Sequence, residues 1–270
     1  DLTAAVQDGQ GRVKIPAPYL EDGKPQTYRL VGGAGAVSEN LDTDTWRSKL
    51  LFEDEFAGDA LDPRWTLREQ DYGHIEGRSC TKTDLDMSTV VDGVVSLGVA
   101  LDPAKPGRCS YEGEDYGYRR TANVGTEGSF SFTYGFAAAR MKFHRDRGQH
   151  SAFWMQPTVP PSSDGPETGG AEIDVIEWFG SKHPSGGLVN YVYYNSDGES
   201  VKAGGWIKDP ERYGDDWWTK FHVFSVEWSP DGYVFRIDGQ IVRTLDEGAS
   251  GVPQFLILSN MSSNYELPFL

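Results

Sequence analysis

The chain has 270 residues and carries 41 acidic against 25 basic side chains, a net charge of −16. That balance disfavours polyanionic partners: no Lys/Arg cluster supplies the basic footprint nucleic acid requires, and anionic membrane surfaces and heavily sulfated glycans are disfavoured unless a local basic pocket overrides the average. No apolar run approaches the ~20 residues of a membrane span, and 32 Gly with 13 Tyr, 13 Phe and 8 Trp suit many short strands joined by turns.

Residues 1–45 are polar and Gly-rich and read as an N-terminal arm; a strand-rich domain is expected over 46–270. No signal peptide is visible and the chain begins at Asp1 rather than Met, which fits a leader either removed or left out of this sequence. Period-two patterning predicts strands over 49–56, 88–100, 127–133, 135–144, 150–156, 171–179, 187–195, 221–228, 232–238 and 254–261. Turn signals separate them, among them Val91-Asp92-Gly93, Pro230-Asp231-Gly232 and Asp238-Gly239. The segment Val223–Val242 reads as the clearest hairpin, and a helical turn or two is expected near Pro210–Trp218. Many short strands without intervening helices predict an all-β sandwich or jelly roll. The run Phe255–Met261 comes last, so a bare edge strand is expected there unless the arm covers it. Cys80 and Cys109 either close one disulfide across a turn-rich loop, as suits a secreted or cell-surface protein, or remain two free thiols; no CxxC or His pair suggests a metal.

The segment that carries chemistry is Ala171-Glu172-Ile173-Asp174-Val175-Ile176-Glu177-Trp178. Strand alternation puts Glu172 and Asp174 on one face and Ile173 and Val175 on the other. Continued strictly, it would bury Glu177 in the core, where an unpaired carboxylate is costly. A β-bulge around Val175–Ile176 would return Glu177 to the acidic face. Glu172 and Glu177 then lie about 13 Å apart at ~3.3 Å per residue, and their side chains can lean to within roughly 5–6 Å. Glycosidases that retain anomeric configuration hold their carboxyls about 5–5.5 Å apart, whereas inverting ones need about 6.5–9.5 Å. Glu172 is therefore read as nucleophile and Glu177 as general acid/base. Asp174 is expected to hydrogen-bond Glu172, and crowding should raise at least one carboxyl pKa. A solvated acidic strand and a calcium site are the alternatives for this run taken alone.

Beyond the run itself, the sequence resembles glycoside hydrolase family 16. Glu172-Ile173-Asp174-Val175-Ile176-Glu177 matches the family's ExDxxE signature in its bulged form. Phe52-Glu53-Asp54-Glu55-Phe56 with Leu61-Asp62 and Trp65, Tyr134-Gly135 with Ala139-Arg140, Ala152-Phe153-Trp154-Met155, and Glu227-Trp228-Ser229-Pro230-Asp231 with Ile237-Asp238-Gly239 are similar to further family segments in the same order. The resemblance implies a concanavalin-like β-jelly-roll sandwich of two antiparallel sheets with a concave substrate cleft. It also implies retaining hydrolysis of a β-linked polysaccharide by Glu172, Asp174 and Glu177. Three positions depart from the family. Ala138 stands where Glu is usual, and Asn190-Tyr191-Val192-Tyr193-Tyr194 has aromatics where many laminarinases carry His. The Asp of the family's final strand has no counterpart before Leu270.

Sugar rings pack on aromatic planes, so Trp154, Trp178 and Tyr193 are candidate substrate contacts, with Arg78 and His150 as polar ones, although a lone aromatic is by default core. The expected function is an endo-acting β-1,3-glucanase working as a monomer on a polysaccharide, needing no cofactor and leaving a structural calcium ion open. Alternatives are a galactan hydrolase of the agarase type, a transglycosylase of the same fold, or a non-catalytic carbohydrate-binding jelly roll. No P-loop, dinucleotide fingerprint or Ser–His–Asp motif competes.

Overall fold

The computed structural model describes residues 50–270 apart from residues 161, 209 and 215, together with four short strands before them. The chain forms two compact units, Asp1–Leu51 and Phe52–Leu270. In the first, Val6–Gln7 pairs antiparallel with Val13–Lys14, and Gln26–Tyr28 with Leu41–Thr43. The remainder of the expected arm lies outside the described residues.

The second unit is a β-jelly-roll sandwich. Eleven of its strands define the two layers. They are β1 (Thr66–Leu67), β2 (Arg119–Gly125), β3 (Gly135–Met141), β4 (His150–Pro157), β5 (Ala171–Trp178), β6 (Leu188–Ser196), β7 (Glu199–Trp206), β8 (His222–Ser229), β9 (Gly232–Ile237), β10 (Gln240–Leu245) and β11 (Gln254–Met261). One sheet runs β7-β6-β5-β4-β11-β2-β1 and the other β3-β8-β9-β10. Apolar side chains from both inner faces meet between them: Ile173, Ile176, Leu188, Phe224, Phe235 and Ile237 are fully buried, as are Trp178, Trp217 and Trp228. Two indole N–H groups of that core find carbonyl acceptors, Trp178 donating to His144 at 2.7 Å and Trp228 to Ser250 at 3.0 Å. Burying such a set supplies the main driving force for the sandwich, and it fixes which face of β5 can be polar.

Several expectations are corrected. Residues 50–56 form no strand; Phe52 packs edge-on against Trp65 at 5.7 Å and the Trp65 indole donates to Asp54 at 2.8 Å, so the alternating Phe-Glu-Asp-Glu-Phe run is anchored by side chains rather than by a ladder. Residues 127–133 contribute only a bridge from Phe132 to Gln254. The expected 88–100 strand is broken into Ser88–Val91, Val94–Leu97 and Val99–Leu101, the first two forming a hairpin. β11 is not an edge: it sits between β4 and β2, hydrogen-bonded on both sides. The sheets are antiparallel except where Thr81–Thr83 runs parallel to β2. The turns expected near 210–218 are present as short 3-10 turns at Pro210–Tyr213 and Trp217–Thr219.

Candidate active site

β5 carries the expected bulge. Against β4, Phe153 faces Ile176 and Trp154 faces Asp174, which leaves Val175 as the extra residue; against β6, Asp174 faces Tyr191 and Glu177 faces Val189. The consequence is read directly from burial: Ile173, Val175, Ile176 and Trp178 all lie in the inter-sheet core, while Glu172, Asp174 and Glu177 line a cleft on the opposite face. The apolar pull on both Val175 and Ile176 is what the extra residue satisfies.

The cleft, of about 310 Å³, collects Arg78, His150, Trp154 and Tyr193 around the three carboxylates. Arg78 comes from the turn Glu76–Arg78, His150 and Trp154 from β4, and Tyr193 from β6. Trp178 does not join them. Because the bulge turns Glu177 to the cleft, its neighbour turns inward, where the indole stacks among Trp217, Trp218 and Phe143. The substrate-contact expectation for Trp178 is therefore corrected to a core role.

The three carboxylates have different company. Glu172 accepts from the Gln156 amide at 2.7 Å. Burial pushes its pKa up, an effect opposed by that hydrogen bond, strengthened by the nearby Glu177 charge and opposed again by Arg68 and Arg78. Asp174 is wholly enclosed and its pKa is held well above the ordinary range, first by desolvation and then by Glu177 and Glu172 on either side. The hydrogen bond expected from Asp174 to Glu172 is absent; Asp174 acts on its neighbours through space. Glu177 is buried, and its Oε1 lies 2.7 Å from His150 Nε2. The His150 ring is stacked on Phe179 at 4.2 Å, with a buried Nδ1 that has no hydrogen-bond partner. His150 is thus a neighbour of the carboxylate rather than a surface histidine. Trp154 lies under the cleft with its indole N–H on Ser259 Oγ at 3.1 Å.

Sequence reading missed Gln156, Arg68, Phe179, Tyr191, Lys202, Trp206 and Tyr265. Two carried a signal: Gln156 follows Trp154 by two residues on one strand face, and Tyr191 precedes Tyr193 likewise. Arg68 and Tyr265 reach the site from distant segments. Lys202 sits over the Tyr191 ring at 3.6 Å. Cys80 and Cys109 form a disulfide, joining the segment just after Arg78 to the hairpin Arg108–Tyr111/Glu114–Gly117. Among the described residues no group of three or more His, Cys, Asp or Glu side chains converges as a metal site. Nor is any described helix long and apolar enough to cross a membrane.

The profile of Glycosyl hydrolases family 16 matches residues 83–265. A Beta-glucanase of Rhodothermus marinus is 28% identical over 200 residues, covering 72% of this chain and 64% of that protein. A Keratan-sulfate endo-1,4-beta-galactosidase of Sphingobacterium multivorum is 25% identical over 162 residues, 54% of this chain and 36% of that one. The chain thus spans less than two thirds of the length of these curated relatives. Among solved structures, the catalytic domain of an endo-1,3-beta-glucanase (laminarinase) from Thermotoga petrophila superposes with a TM-score of 0.57 at 23% identity, over 81% of this chain and 88% of that one.

Proposed function

The chain belongs to family 16 of the glycosyl hydrolases, and from that premise we propose that it is an endo-acting, retaining hydrolase of a β-1,3-linked glucan. One observation carries the reading: a bulged strand brings Glu172, Asp174 and Glu177 to one face of a cleft while the residues between them stay in the core. Glu177 donates a proton to the glycosidic oxygen as Glu172 Oε1 attacks the anomeric carbon, breaking the C–O bond and forming a glycosyl ester on Glu172. Water, deprotonated by Glu177, then cleaves that ester and restores both groups. Burial raises the Asp174 pKa well above the ordinary range, which disfavours a second charge beside Glu172. Trp154 and Tyr193 offer ring faces to the sugar, with Arg78 reaching its hydroxyls. The glucanase names of relatives support the β-1,3-glucan.

A galactan substrate is the second reading, favoured by the keratan-sulfate-degrading relative and by two cations, Arg78 and Lys202, in the cleft of an acidic chain. The disulfide supports placement in an oxidising, extracellular setting, and we take the working form to be a monomer. The test is reducing-end release from laminarin, mixed-linkage glucan, agarose and keratan sulfate by the wild-type protein beside Glu172→Gln. Release from laminarin by wild type alone supports the reading. Release from a galactan alone replaces the substrate, and binding without turnover replaces hydrolysis with recognition.

A further inference from the structure

Gln156 is one of the closest polar neighbours of Glu172, and its orientation is not free. Its Oε1 accepts from Arg68 Nη2 at 2.5 Å, so its Nε2 faces Glu172 Oε2 at 2.7 Å. An amide can satisfy a guanidinium and a carboxylate together only this way round. Arg68 in turn is held by packing: its guanidinium lies 5.1 Å from the Trp154 ring centroid and 5.4 Å from that of Phe255. The backbone beneath it is fixed as well, the Arg68 N–H donating to Asn123 and the Thr83 hydroxyl to the Arg68 carbonyl. From β1's end to β5 there is thus an unbroken chain, Arg68–Gln156–Glu172, whose contacts join residues 88 and 16 positions apart in sequence.

We propose that Gln156, locked by Arg68, is a positioning residue for the nucleophile: it holds the Glu172 carboxylate by Oε2, keeps it ionised and leaves Oε1 to attack the anomeric carbon. The inference rests on the hydrolytic reading above and goes beyond it by assigning how that carboxylate is oriented. A half-buried carboxylate that must attack as an anion needs a donor, because desolvation favours the neutral, non-nucleophilic acid. The groups facing Glu172 make the need plain. Asp174 and Glu177 share its strand, and Tyr193 lies across on β6. Arg78 and Lys202 line the same cleft, and Glu127 acts on Arg68 from behind. In the ester intermediate, Oε2 becomes the carbonyl oxygen, and Gln156 remains placed to donate to it as charge returns during hydrolysis.

The experiment compares wild type with Gln156→Leu and Arg68→Met, using laminarin and the pH dependence of kcat/KM. Gln156→Leu should lose about 10- to 100-fold in kcat/KM, and the acidic limb of its profile should move up by about one pH unit, since the ionised nucleophile has lost its donor. Arg68→Met should move the limb the same way by less, and the two changes combined should cost less than the product of the two single losses. A Glu172→Gly background rescued by azide separates positioning from substrate contact. There Gln156→Leu should alter the rescued rate by less than about twofold, and an undiminished loss overturns the proposal. So does an unmoved acidic limb in a folded Gln156→Leu protein; if that variant does not fold, Arg68→Met carries the same test. Should wild type turn over no glycan, the hydrolytic reading falls separately, and carbon-13 NMR titration of the Glu172 carboxyl decides the relay. A higher midpoint in Gln156→Leu supports it, and an unchanged one overturns it.

Discussion

The two ends of β5 present the same side chain in opposite company. At Glu172 the carboxylate sits half-buried in a polar setting, with an amide donor and two guanidinium groups nearby. At Glu177 the carboxylate is buried against an imidazole that is itself stacked on an aromatic ring, with Trp206 5.7 Å from that ring. Donors and cations orient a carboxylate for attack and offset part of the burial that raises its pKa, while a single imidazole contact orients the carboxyl placed to hand over a proton. Role is therefore set by surroundings, and the bulge at Val175 is what lets one strand sample both settings without turning a charge into the core.

The largest expected effect breaks both ends at once in separate proteins. Glu172→Gln should lower kcat by more than about 10³-fold on every substrate, because no nucleophile remains. Glu177→Gln should cost about 10²–10⁴-fold on polysaccharide and much less on an aryl glycoside whose leaving group needs no proton. Initial rates on both substrates check this, and equal losses on the two would erase the proposed division of roles.

A second test concerns the faces rather than the ends. Trp178→Ala should remove about 3–5 kcal/mol of stability, visible as a lowered melting temperature, because the indole fills the inter-sheet core. Trp154→Ala should instead raise KM by about tenfold, through loss of a stacking surface for sugar. A Trp178→Ala protein that melts like wild type but binds substrate poorly would reinstate the sequence expectation for this residue.

A smaller change sharpens the Glu177 end. His150→Phe keeps the stack on Phe179 but deletes the 2.7 Å contact to Glu177. It should cost about 10- to 100-fold in kcat on polysaccharide, a loss that shrinks on the activated aryl glycoside, whereas the Gln156→Leu loss should persist there. Smallest is the pH dependence of stability. Asp174 has a raised folded pKa, so the folded chain holds more protons than the unfolded one, and stability declines as pH rises from about 4, the unfolded carboxylate value. Asp174→Asn removes that group, and melting temperatures across about pH 4–7 should fall less steeply than in wild type.

The β5 motif was legible in sequence because its hydrophobic and acidic patterns conflict: Ile176 and Glu177 cannot both obey strict alternation, and only an extra residue reconciles them. The hairpin around Pro230 was legible from turn chemistry, and it appears as β8 and β9. β2 was not, since Arg119-Arg120-Thr121-Ala122-Asn123-Val124-Gly125 has neither alternation nor an apolar run, yet it is central, pairing with β11, β1 and two shorter strands. β7 was hidden by Gly204 and Gly205; at Gly204, with φ of +116°, a Cβ would collide with the Asn190 carbonyl, so the glycine serves close strand packing rather than a turn. Trp178 was misread because its neighbour Glu177 is catalytic in pattern, though one step along a strand changes the face. The Arg68–Gln156 relay had no local signal, as it exists only once β11 and β2 join β4 and β1 into one sheet.

The central claim is double displacement on Glu172, and anomeric stereochemistry tests it most directly. Proton NMR of the first sugar reducing ends released from laminarin, recorded before mutarotation equilibrates them, should show the β-anomer ahead of the α-anomer. Appearance of the α-anomer first would mean that water attacks directly, and Glu172 could not then be the nucleophile.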